Sequence, residues 1–402
     1  LRFIVSQGEQ ALRKLMISIL FLIFALLVTP TFAQIDGFCG DLSAEDCDLY
    51  TSFETTTLPT SVALTADFAL DAVAEGEAIS FAFTANGAYI YDVASVTDYV
   101  DSLRDLPITD LSVGTVYNWL AAGIKAFNGE LLINITASPE AGLPLEEIPV
   151  NLWIVDGVGY VDLAPYAMFD PTFDGVYGVD LFEVADFGLS QVTIGDLIDG
   201  LEDAGLNEAV MEGLDGGFDV EGEGNPFDMM MNNMSAQTIS AEDAAAFVTI
   251  RREANETIDG VEVAVFISEL DLASVFEVEA VRDQLIAQFE MQGTLPEGVS
   301  AEDFADALSA SFSDDSSFLI TEMYGIEDGY LYSTTLVLDL SIDPVPLAAV
   351  MGQEADASGA SGAPVTVQMN FDIKRSDFNA VESIEVPADA TVIPLEALIG
   401  AM

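Results

Sequence analysis

The residues able to do covalent or acid–base chemistry in this chain are few in kind. It has no histidine, so Ser-His-Asp and Cys-His catalysis, imidazole-bound zinc and the usual proton shuttle at neutral pH are excluded. Neither G-x-S-x-G nor S-x-x-K occurs. The 69 acidic residues offer carboxylate pairs of the kind that hydrolyse glycosides, but no spacing marks one pair out. No D-x-[DN]-x-[DN]-G calcium loop is present either. No catalytic residue, no metal ligand and no cofactor is therefore expected, although the sequence leaves open whether surface acids bind divalent cations. The two cysteines, Cys39 and Cys47, are different. Their spacing is not the C-x-x-C of a redox pair, and Ser43-Ala44-Glu45-Asp46 between them reads as a capping box with Ser43 as the N-cap. Cys47 then falls in the first turn of a helix and Cys39 in the loop before it. A disulfide stapling the N-terminal segment 34–60 is expected.

The compartment that permits a disulfide is also written in the chain. Arg13 and Lys14 precede an uncharged run from Leu15 to Val28, then Pro30 and the ending Thr31-Phe32-Ala33. That is the pattern of a secretory signal peptide over 1–33, and the run is shorter than the ~20 residues of a spanning helix. Residues 1–12 open with Leu1 and read as upstream translation from an alternative start, with Met16 a second candidate. Cys39 follows Asp36-Gly37-Phe38 rather than the small residues of a lipobox, so no stable membrane anchor is expected. A net charge of −59 on a chain that is 51% apolar describes a folded core under an acidic surface, not a disordered tail. Such a field repels nucleic acid and favours a soluble monomer. The expected location is secreted, or the cell-envelope exterior or periplasm.

The elements that must carry any site are strands first. Val62, Leu64, Ala66, Phe68 and Leu70 alternate with small or polar residues, as do Val365, Val367, Met369, Phe371 and Ile373. Period-two alternation with one polar side belongs to antiparallel sheet with one wet face. Further strands are expected at 79–83, 131–137, 150–155, 159–163, 176–182, 261–268, 318–324 and 330–341, with Asp156-Gly157 and Asp328-Gly329 as turns. Helical periodicity marks 113–127, 192–206 and 272–291. Ser300-Ala301-Glu302-Asp303 caps a further helix to about Phe312, and Ser240-Ala241-Glu242-Asp243 reads as a short turn before strand-like 247–250. Residues 213–238, rich in Gly, acid and Met, and 352–363, rich in Gly, Ala and Ser, lack a core pattern. They read as a flexible insert and a linker inside one domain over 61–398.

Two stretches are similar to hairpins of a known superfamily. Val150-Asn151-Leu152-Trp153-Ile154-Val155-Asp156-Gly157-Val158-Gly159-Tyr160-Val161 is the first, and Ile326-Glu327-Asp328-Gly329-Tyr330-Leu331 the second. Phe371 to Asn379 and Ile384 to Ala390 resemble its closing strands and proline-alanine-aspartate tail. The chain thus resembles the LolA/LolB lipoprotein carriers and, more closely, the LppX/LprG lipoproteins. The resemblance implies an α+β fold, a curved antiparallel β half-barrel with helices covering the concave face. It also implies a non-catalytic carrier or sensor whose partner is a lipid or apolar small molecule. The residues expected to line its cavity are Leu64, Phe68, Phe81, Phe83, Trp153, Tyr160, Leu338, Met369 and Phe371. The alternative is an acidic extracellular structural or interaction protein whose core is already full.

Overall fold

The computed structural model describes residues 38–54, 59–74, 77–92, 113–138, 147–168, 174–190, 244–275, 278, 281–282, 286, 299–313, 316–350 and 364–395. The leader, the 240–243 tetrapeptide, the helix expected at 192–206, most of that at 272–291, the 213–238 insert and the 352–363 linker lie outside them. In chain order the elements begin with α1 (Ala44–Glu54), β1 (Ser61–Ala74), β2 (Glu77–Tyr91), α2 (Val113–Ala126), β3 (Phe127–Ala137), β4 (Glu147–Val155), β5 (Val158–Asp162), β6 (Val176–Asp180) and α3 (Leu181–Ser190). There follow β7 (Val248–Arg252), β8 (Glu256–Ile258), β9 (Val261–Leu270), α4 (Leu272–Val275), α5 (Ala301–Ser309), β10 (Ser317–Gly325), β11 (Leu331–Ile342), α6 (Pro344–Val350), β12 (Val365–Ser376) and β13 (Thr391–Val392).

The strands form one open sheet in the order β13-β6-β5-β4-β3-β2-β1-β12-β11-β10-β9-β7, with β8 also paired to β9. All pairings are antiparallel except β13 with β6. The two ends of the path do not pair, so the sheet is a curved α+β half-barrel and not a closed barrel. Near its middle is the β1–β12 ladder, which joins the β1–β6 meander to β12 and aligns Phe68 with Phe371 and Leu64 with Arg375.

Local chemistry explains where the chain turns. Asp156 and Gly157 have φ of 51° and 80°, the left-handed pair that a two-residue hairpin needs to match strand twist. A Cβ on Gly157 would sit 2.2 Å from the Phe182 ring, so glycine is required there twice over. Asp259 and Gly260 make the same turn between β8 and β9, with φ of 49° and 88°. Both capping boxes form: Ser43 Oγ accepts from Asp46 N at 3.2 Å, and Ser300 Oγ from Asp303 N at 3.1 Å. The strand expected at 176–182 stops at Asp180, because the Asp180 carboxylate accepts from Phe182 N at 2.8 Å and starts α3 instead.

The main core lies over β9–β12. Phe304 and Leu308 of α5, Tyr50 and Phe53 of α1 and Leu347 of α6 are buried in one cluster with Phe266, Phe318, Leu338, Leu340 and Met369. By register these strand residues share the sheet face that carries Leu64, Phe68 and Phe371. Helices therefore cover the inner face of this half of the sheet.

Candidate functional site

Opposed residues of antiparallel strands point to the same side, so the register sorts every side chain by face. One row across the inner face runs Leu336, Phe371, Phe68, Phe83, Ile135 and Ile148. A parallel row carries Arg375, Leu64, Gly87, Leu131, Leu152 and Val161. Between them lie Ile373, Ala66, Ala85 and Ile133. Small residues set this floor low between the larger side chains on either side.

Four phenylalanines build the apolar centre. Phe68 stacks on Phe83 with centroids 4.9 Å apart, and Phe81 and Phe371 meet that pair edge-on at 5.9–6.5 Å. Such offset and edge-to-face contacts are the favoured aromatic geometries. All four rings are only partly buried. On the same face Ile79 is 41% exposed and Leu152 is 37% exposed. Among the described residues the β1–β4 half of the inner face is thus apolar but incompletely covered, whereas the β9–β12 half is packed.

The nine residues expected to line a cavity fall into three groups. Leu64, Phe68, Phe81 and Phe83 come together on the open half of the inner face, with Phe371 of β12 at its boundary with the packed half, where Phe68 also touches the core. Leu338 and Met369 share that face but are buried in the core cluster with α5, at 4% and 6% exposure. Trp153 and Tyr160 oppose one another on the other side of the sheet. There they pack with Val176 and with Val381, Ile384, Val386 and Ala390 of the segment after β12. In residues 150–155 both parities are apolar, Leu152 facing the open inner side and Trp153 packing on the other, so alternation gives no face for Trp153.

The structure also reveals a polar group at one margin of the apolar face. Glu322 of β10 is buried, and the Tyr50 hydroxyl of α1 donates to its Oε2 at 3.3 Å. Phe53 of α1 stacks on Tyr324 at 4.7 Å beside it. Arg375 is partly buried and donates from Nη1 to Thr334 Oγ1 at 3.1 Å. Burial pulls the guanidinium below its ordinary pKa, and the nearby Tyr89, Tyr324 and Glu322 pull it back up. Neither Glu322 nor Arg375 was expected at a site. Glu322 continues the inner parity of Phe318 and Ile320, which is the signal that locates it.

The N-terminal staple sits apart from this face. Cys39 and Cys47 are joined, with Cα atoms 5.5 Å apart. Phe38 enters the main core, and a Cβ on Gly40 would lie 2.7 Å from Ile250 N, so the loop runs tight against β7. A separate cavity of about 400 Å³ opens between α5 and α6. Its acids are engaged, Asp303 by Ser300 and Asp306 by Arg282 at 2.7 Å. Among the described residues no group of three or more acids or thiols is placed to hold a metal, and no helix is long and apolar enough to cross a membrane.

No protein-family model matches the chain, and no curated protein matches it. Solved structures with a similar course include LprF from Mycobacterium bovis, at 11% identity over 85% of this chain and 95% of that one, with a TM-score of 0.29. A DUF1329 family protein from Desulfovibrio piger is 8% identical over 83% of this chain and 95% of its own, with a TM-score of 0.15. An outer membrane lipoprotein-sorting protein domain from Vibrio parahaemolyticus gives 8%, the same coverages and a TM-score of 0.12. At these identities and TM-scores these structures carry no argument about ligand or activity, for which only the chain's own residues serve.

Proposed function

We propose that this protein binds an acyl chain or a comparable apolar ligand on the open half of its inner face. It carries or senses that ligand outside the cytoplasm, as a monomer and without catalysis. The observation supporting this reading is the partly buried quartet Phe68, Phe81, Phe83 and Phe371, flanked by exposed Ile79 and Leu152 on the same face. An apolar ligand needs little else. Each methylene removed from water contributes about 0.8 kcal/mol, so a long chain supplies roughly 10 kcal/mol before ordering costs. The absence of histidine argues against the commonest catalytic devices, and the leader-like 1–33 segment with the Cys39–Cys47 bridge favours an oxidising compartment.

The packed β9–β12 half favours a second reading, in which the protein is an acidic extracellular scaffold with no ligand. One variant pair separates the two. Ala66 lies on the floor between Leu64 and Phe68, while the neighbouring Asp67 is exposed on the other face. Ala66→Phe should weaken displacement of Nile red by a fatty alcohol by about tenfold, roughly 1.4 kcal/mol. Asp67→Asn should leave it unchanged, with near-ultraviolet dichroism confirming that both variants fold. If wild-type protein binds no apolar probe at micromolar concentration, the carrier reading is wrong and the scaffold reading stands.

A further inference from the structure

We infer that Arg375 anchors the acidic head group of an amphiphile whose chain lies along the aromatic face; this rests on the apolar-binding reading above. Arg375 opposes Leu64 across the β1–β12 ladder, in the row that continues through Gly87, Leu131 and Leu152. It is therefore a cation at the margin of an apolar surface, four residues along β12 from Phe371, or about 13 Å. An acyl chain on Phe371, Phe68 and Phe83 can reach it without leaving the face.

Its burial sets it apart from the other cation that lacks an ion pair among the described residues, Lys125, which is exposed, and its pairing sets it apart from the rest. Arg251 is paired with Glu253, Arg252 with Asp46 at 3.8 Å, Arg282 with Asp306 at 2.7 Å and Lys374 with Asp372 at 3.3 Å. Among the described residues no carboxylate stands within ion-pair distance of Arg375, although the chain holds 69 acids. Its hydrogen bond goes to a neutral acceptor, the Thr334 hydroxyl at 3.1 Å. A guanidinium has five N–H donors, and its planar fork matches a carboxylate with two parallel bonds. A partly buried cation without a close counter-ion is costly unless an anion joins it. Glu322 balances the charge only at longer range, its carboxylate accepting from Tyr50. The acidic surface does not forbid an anionic head, because exposed charges beyond a Debye length of about 8 Å are screened at physiological salt.

The test compares oleic acid with oleyl alcohol, which share a chain and differ in head group, by displacement of neutral Nile red from the full exported chain at pH 8. Wild type should bind the acid about tenfold more tightly than the alcohol. Arg375→Gln should abolish that preference while leaving the alcohol's affinity unchanged, and Arg375→Lys should keep part of it. Equal affinity of wild type for the two, or an equal loss of both in Arg375→Gln, would overturn the assignment while leaving apolar binding intact. Failure of both compounds to bind wild type would remove the underlying reading and the anchor with it.

Discussion

Placing a carboxylate at Leu338 should unfold the protein, whereas the same change one residue earlier should be tolerated. Leu338 is 4% exposed and is flanked directly by Phe318 on β10 and Met369 on β12. Removing a buried leucine side chain costs about 2–5 kcal/mol by itself. An unpaired carboxylate in its place adds a desolvation penalty of about 1–3 kcal/mol or more. The total for Leu338→Asp, about 3–8 kcal/mol, takes up much of the 5–15 kcal/mol typical of a folded domain. Val337 is 36% exposed on the opposite face, where an aspartate stays hydrated. Val337→Asp should cost under about 1 kcal/mol, mostly lost strand propensity. Urea unfolding followed by tryptophan fluorescence measures both as midpoint shifts. Equal damage from the two substitutions, or a tolerated Leu338→Asp, would refute the assignment of faces and the burial of β11 beneath α5.

Two further outcomes follow from particular groups. Replacing Cys39 and Cys47 by serine opens a short loop and should lower stability by about 2–3 kcal/mol, and intact mass with and without reduction should show both thiols oxidised in protein purified without reductant. The Tyr332 hydroxyl donates to Asp328 at 2.8 Å, and burial together with that bond pushes its pKa from 10.0 to about 12. A raised folded pKa gives stability that is complete below pH ~10 and is lost as pH climbs towards 12. Phenolate absorbance should therefore show a late step that Tyr332→Phe removes.

Much of the architecture was legible because alternation survives where one face is wet. β1 shows it over residues 62–71 and β12 over 365–374, and the Asp156-Gly157 turn and both N-caps carry their own chemistry. Four features were hidden for physical reasons. Phe182 looks like the end of a strand until the Asp180 carboxylate caps a helix beneath it. Trp153 and Tyr160 lie where both faces of the sheet carry apolar side chains, one packed and one open, so apolar character no longer reports direction. Leu338 and Met369 have the parity of the open face, but whether a residue on that face is roofed by a helix depends on distant packing that alternation cannot record. Arg375 was overlooked because a basic residue near a strand end reads as solvent-facing until the β1–β12 register sets it opposite Leu64.

The central claim is that the open aromatic face holds an apolar ligand, and native mass spectrometry of the purified protein tests it most directly. The account predicts a fraction of molecules carrying extra mass that organic extraction identifies as lipid. That mass should diminish in Ala66→Phe while Asp67→Asn retains it. Bare protein in every preparation, with no lipid in the extract and no uptake of added oleic acid or oleyl alcohol at micromolar concentration, would contradict it.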